Sequence, residues 1–140
     1  MRRFTRTTRW RMADTAEFWA GDFGAAYTER SQGADILAAR IAMFSRILER
    51  APGVNSVIEL GANTGINLKA ISLLRPGAKL WGVEVNEEAA LQIPAGKVIV
   101  GSILDYELPE PCDLAFTRGV LIHVAPEDLP RAYDALHDAS

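Results

Sequence analysis

The stretch Val54–Asn86, VNSVIELGANTGINLKAISLLRPGAKLWGVEVN, decides how the chain is read. Val57, Ile58 and Leu60 form a short apolar run of the kind a strand buried on both faces requires. Gly61 to Gly65 is a glycine turn, the following residues read as a helix, and Leu80 to Val85 reads as a second strand leading to Asn86. A strand feeding a glycine turn and then a helix sets backbone N–H groups around a concave site for a polar ligand. Glu84 lies 23 positions beyond Gly61, at the tip of the second strand. An acid there accepts hydrogen bonds from both hydroxyls of a ribose. The stretch reads as a nucleoside-binding half-site.

The turn itself, Gly61-Ala62-Asn63-Thr64-Gly65-Ile66, narrows the choice of nucleoside. A dinucleotide site calls for three glycines, the second letting a pyrophosphate approach the backbone. Here Asn63 holds the middle position and Ile66 the last. Glu59, two residues before the first glycine, adds a negative charge that repels a pyrophosphate and suits a ligand carrying an ammonium and a sulfonium. This pattern resembles motif I of the class I S-adenosylmethionine-dependent methyltransferases, an acid followed by Leu-Gly-x-Gly-x-Gly.

The rest of the chain bounds the class. A length of 140 residues implies one domain with a real core. The 49% hydrophobic and 24% charged residues are ordinary for a globular protein. One cysteine, Cys112, leaves no internal disulfide and argues against a cysteine-based metal site, so no metal is expected. No apolar run approaches the roughly 18 residues of a membrane span, and the default compartment is the cytoplasm. Residues 1–12 hold five arginines and no acid, so the net −3 of the whole chain leaves −8 for the rest. The arm reads as a disordered tail without a specific role, and the acidic body argues against nucleic-acid binding. The ordered domain is expected over 13–140.

Asp14 and Glu17 have capping-box spacing. The segment after them mixes Phe18, Trp19, Phe23 and Tyr27 with Gly21 and Gly24, which breaks a helix into a helix, a bend and a further turn. It reads either as aromatics capping the core or as a lid whose Tyr27 and Arg30 close over a ligand. Ser31 to Arg50 is an amphipathic helix with Ile36, Leu37, Ile41, Phe44, Ile47 and Leu48 on one stripe, stopped by Ala51-Pro52-Gly53. Glu87 to Leu91 is a short helix, Lys97 to Val100 a third strand and Asp113 to Thr117 a fourth. Glu127 to Ala139 closes as a helix with Leu129, Ala132, Tyr133 and Leu136 inward. Strand ends on one side of a parallel sheet share a crevice, so Ser102 and Ile103 should flank the base.

The runs FWAGDFGAAYTERS (18–31), VIELGANTGINLKAI (57–71), GVEVN (82–86) and CDLAFTRGVLIHV (112–124) together resemble the methylases associated with pseudaminic acid biosynthesis. The resemblance spans about residues 17–140. It implies a Rossmann-like α/β fold, a parallel sheet of about four strands with helices on both faces, binding S-adenosyl-L-methionine. By the same resemblance Glu59, Gly61, Ala62, Asn63 and Gly65 lie near the methionine and ribose, Glu84 and Asn86 at the ribose end, and Ser102 and Ile103 at the adenine. Thr117 and Arg118 line the reaction face. Many relatives carry an acid where this chain has Ser102. The implied acceptor is a nonulosonic sugar or its activated precursor.

Class I methyltransferases carry three more strands after the fourth, and this chain ends one helix beyond it. A C-terminally truncated methyltransferase is therefore expected, with strand four left as an edge open to pairing between chains. Methyl transfer needs a base where the acceptor is a hydroxyl or ammonium, and His123 is the only histidine near the expected crevice; His137 falls on the exposed side of the last helix. Two other readings stand beside the leading one: an NAD(P)-dependent Rossmann oxidoreductase, disfavoured by Glu59, Asn63 and the lack of a Tyr-x-x-x-Lys pair, and a non-catalytic half-fold.

Overall fold

The structure, a computed structural model, describes residues 17–21, 23, 24, 26 and 33–140. The arginine-rich arm, Asp14, Tyr27 and Arg30 lie outside the described residues. Four strands form one parallel sheet in the order β3-β2-β1-β4: β1 (Ser56–Leu60), β2 (Lys79–Glu84), β3 (Lys97–Val100) and β4 (Leu114–Thr117). The helices are α1 (Ala34–Arg50), α2 (Ile66–Leu74), the single turn α3 (Glu87–Ala90) and α4 (Leu129–Asp138). Residues 17–20 are also helical.

Side chains alternate across a strand, and β1 divides the core accordingly. Val57 packs with Phe44 and Leu48 of α1 and with Leu68 and Ile71 of α2 on one face. Ile58 and Leu60 pack with Val83, Ile103, Cys112 and Ala132 on the other. A strand buried on both faces has no polar side to spare, which is why β1 reads as a nearly unbroken apolar run. The interruption is Glu59, at 1% exposure.

The chain winds outward from β1 through β2 to β3, then returns to place β4 on the other side of β1. That reversal puts the topological switch point between β1 and β4, where a parallel sheet opens a crevice beyond its carboxyl ends. Thr117 Oγ1 donates to Leu60 O at 2.7 Å and joins the two strands there. At the opposite end the carboxylate of Asp113 accepts from the backbone N–H groups of Asn55 (2.7 Å) and Ser56 (2.8 Å), while Asp113 N donates to Ser56 Oγ at 2.8 Å. These bonds hold Asp113 below its ordinary carboxylate value.

Several boundaries differ from the sequence reading. The second strand runs from Lys79 to Glu84, one residue earlier than expected, which places Glu84 at its end. The last helix is preceded by a 3-10 turn, Pro126–Asp128, and starts at Leu129. Tyr133, expected inward, is 58% exposed. The face that α4 turns to the core is the narrow row Leu129, Ala132, Ala135 and Leu136, and Tyr133 falls one step outside it. Ile47, expected on the buried stripe of α1, likewise lies exposed. Among the described residues no helix is long and apolar enough to cross a membrane.

Candidate functional site

The glycine turn is built from alternating left-handed residues. Gly61 (φ 79°), Asn63 (φ 50°) and Gly65 (φ 72°) all have positive φ. Asparagine is among the few side chains that tolerate this region, so Asn63 takes the conformation a middle glycine would take. The turn is closely packed. A Cβ on Gly61 would collide with Val120 Cγ2, and one on Gly65 would stand 2.8 Å from Ile93 Cγ2.

The turn delivers two acids to one end of the sheet. Glu84 is buried at 8% exposure; its Oε2 accepts from Asn63 N–H at 2.7 Å and its Oε1 from Asn86 N–H at 2.8 Å. A carboxylate oxygen can accept two hydrogen bonds, so each retains capacity for a ligand hydroxyl. Asn86 caps α3, its Oδ1 accepting from Ala89 N–H at 3.0 Å. Its Nδ2 donates to Trp19 O at 3.0 Å, which ties the N-terminal aromatic segment to the end of β2.

Glu59 sits deeper. Its Oε1 accepts from Asn67 Nδ2 at 2.5 Å. Glu59 Oε2 and Asn67 Oδ1 are both buried without a hydrogen-bond partner. An orphaned buried acceptor costs about 1–3 kcal/mol, and neither atom meets a donor from another of the described residues. Burial pushes the Glu59 carboxyl up to about 8, with Glu84 adding to the rise and the Asn67 bond, Arg118 and Arg40 opposing it.

The parallel sheet brings Ser102, Ile103, Thr117 and Arg118 to the same side, beyond the ends of β3 and β4. Ile103 is buried in the cluster beneath the sheet, and Ser102 Oγ accepts from Leu104 N–H at 3.2 Å. Thr117 ends β4 and Arg118 is exposed just beyond it. His123 ends the 3-10 turn Leu121–His123 with its ring 4.6 Å from that of Trp19, and partial burial lowers its pKa. Phe18 and Phe23 stack at 4.4 Å beside Trp19. The aromatic segment thus spans from Asn86 at the end of β2 to His123 beyond β4. Sequence reasoning missed two residues. Trp19 was grouped only as an aromatic. Asn67 gave a signal in being the one amide of the apolar helix INLKAISLL, buried among Leu68, Ala70 and Ile71. No cluster of three or more His, Cys, Asp or Glu able to hold a metal occurs among the described residues.

No protein-family profile matches the sequence, and no curated protein is significantly similar to it. Solved structures are similar in fold. The sugar N-methyltransferase KedS8 from Streptoalloteichus superposes with a TM-score of 0.68 at 24% identity, covering 86% of this chain and 49% of that one. Magnesium protoporphyrin IX methyltransferase from Synechocystis, with bound S-adenosylmethionine, gives 0.72 at 12% identity, over 97% and 74%. The S-adenosylmethionine-bound amino pentose methyltransferase CalS10 from Micromonospora echinaspora gives 0.57 at 17% identity, over 86% and 52%. The chain has the Rossmann-like fold of class I methyltransferases. It spans about half the length of KedS8 and CalS10.

Proposed function

We propose that the chain binds S-adenosyl-L-methionine at the carboxyl ends of its sheet and acts as a methyltransferase on a sugar, specifically a nonulosonic sugar or its activated precursor. The observation that carries the reading is the pair of buried acids, Glu59 with an orphaned oxygen and Glu84 with acceptor capacity, on either side of a left-handed glycine turn. Glu84 accepts from ribose hydroxyls, Glu59 faces the cationic amino-acid part, and Ser102 and Ile103 flank the base. The nucleoside end is thereby anchored at β2 and β3, and the amino-acid end at β1.

The cofactor, when bound, supplies an electrophilic methyl group on a sulfonium. The leaving thioether needs no acid, so the protein's work is orientation and removal of the acceptor's proton. Thr117 and Arg118 line the acceptor side. His123, its pKa lowered by burial, is neutral at pH 7 and can take a proton on a ring nitrogen. The sugar as acceptor is supported by KedS8 and CalS10, whose substrates are sugars, and the nonulosonic class by the resemblance of residues 17–140.

A radiolabelled-methyl transfer assay on nonulosonic sugars, with amino sugars as comparison, tests the reading. Label in the nonulosonic sugar is expected. Label in amino sugars alone would correct the acceptor, and no transfer by ligand-bound protein would leave a binding module without catalysis. Tight NAD binding without S-adenosylhomocysteine binding would overturn the cofactor.

A further inference from the structure

His123 ends a 3-10 turn beyond β4 and is exposed, and among the described residues no group hydrogen-bonds its ring nitrogens. An exposed imidazole free to change rotamer faces an acceptor only part of the time. What meets the ring is the indole of Trp19, with 4.6 Å between centroids and a 59° tilt. Trp19 comes from a distant part of the chain, and its own place is fixed from two sides. Its carbonyl accepts from Asn86 Nδ2 at 3.0 Å. Asn86 is 5% exposed and is itself held, through Oδ1 by Ala89 N–H and through its own N–H by Glu84 Oε1. The indole meets the ring of Phe23 edge-on at 5.4 Å, and Phe23 stacks on Phe18. Gly24 is buried against the same joint: a Cβ there would collide with Trp19 O and stand 3.1 Å from Asn86 Nδ2.

Resting on the reading of His123 as the acceptor's base, we propose that Trp19 is its positioning residue, an indole anchored on Asn86 that holds the imidazole at the reaction face. Trp19 touches no reacting atom and acts through His123. An indole suits the task for two reasons. It is a large, rigid ring that fixes its neighbour with only two rotatable bonds of its own. It also presents a π face, and a cation within about 6 Å of such a face is attracted to it. When the acceptor's proton moves to a ring nitrogen of His123, the acceptor's lone pair bonds the methyl carbon and the C–S electrons return to sulfur. The imidazolium left behind then lies against the indole at the observed 4.6 Å. Gly24 has its role here too, since only a residue without a side chain lets the Trp19 carbonyl reach Asn86.

The full chain has two histidines, so the ring protons of His123 can be followed by NMR with His137, exposed near the end of α4, as internal control. In the wild type the His123 signals should be displaced by the indole ring current. Trp19→Ala should return them toward those of His137 and leave His137 unmoved. Methyl transfer at saturating S-adenosylmethionine should fall about 10–100-fold in that variant, while the Kd of S-adenosylhomocysteine stays nearly unchanged. Trp19→Phe keeps an aromatic face and should recover most of the rate and the displacement; Trp19→Leu should recover neither. Gly24→Ala, which alters neither ring, should move the His123 signals as Trp19→Ala does, and it carries the test where Trp19→Ala does not fold. An active protein whose rate and His123 signals ignore these substitutions would overturn the proposal and leave the methyltransferase reading standing. So would weaker S-adenosylhomocysteine binding with an unchanged rate, which would make Trp19 a cover for the ligand. Wild-type protein that binds S-adenosylhomocysteine and methylates neither nonulosonic nor amino sugars would overturn His123 as a base, and this inference with it.

Discussion

Glu59 carries its proton into the folded state. Its carboxyl lies near 8 when buried against an ordinary 4.5, so between those values the unfolded chain releases a proton that the folded chain keeps. Stability contributed by this group is therefore complete below pH 4.5 and lost as pH rises toward 8. Urea titrations at pH 5, 6.5 and 8 should show that decline in the wild type and a flatter profile in Glu59→Gln. Gly65→Ala forces a side chain into φ 72° against Ile93 and should cost about 1–2 kcal/mol by the same measurement. The sequence showed Glu59 and Glu84 as candidates because acids stood where a buried strand and a strand tip should be. It did not show the Asn67 partnership, because eight residues and a turn separate the two. Only the three left-handed residues between them fold the helix back onto the strand.

Elements were legible where their period was strong. β1, β3, α1 and α2 follow from apolar runs and stripes, and the glycine turn announces the strand-to-helix switch. The 3-10 turns Leu121–His123 and Pro126–Asp128 were not, because three residues are too few to show a period. Leu129, Ala132 and Leu136 of α4 face the core as their spacing predicts; Tyr133 lies one step outside that narrow row and faces out, and Tyr133→Ala should leave the urea midpoint nearly unchanged. The start of β4 is tied to the start of β1 by the Asp113 carboxylate and by Ser56. Asp113→Ala should lower the midpoint at pH 7. Because that carboxyl is held below its ordinary value, its contribution is present above the ordinary carboxylate range and fades in acid, and wild type and variant should converge there.

At the scale of the molecule, the two core layers meet at β1, with Phe44 at 2% exposure filling the layer under α1. Phe44→Ala should cost about 3–5 kcal/mol in chemical denaturation. The resemblance implied a parallel sheet of about four strands, and the order β3-β2-β1-β4 was not readable from the sequence. That order matters to function because it gathers four strand ends, with Glu59, Glu84, Ser102 and Thr117, on one side. His123 lies over the same edge, and His123→Ala should lower turnover about 100-fold or more and remove an acidic limb falling below pH 6.5 from the rate profile. The most direct measurement is a crystal structure grown with S-adenosylhomocysteine. The account predicts ribose hydroxyls within hydrogen-bond distance of the Glu84 carboxylate and the cationic amino-acid part on the Glu59 side of the turn. A ligand bound elsewhere, with Glu59 and Glu84 untouched, would contradict it.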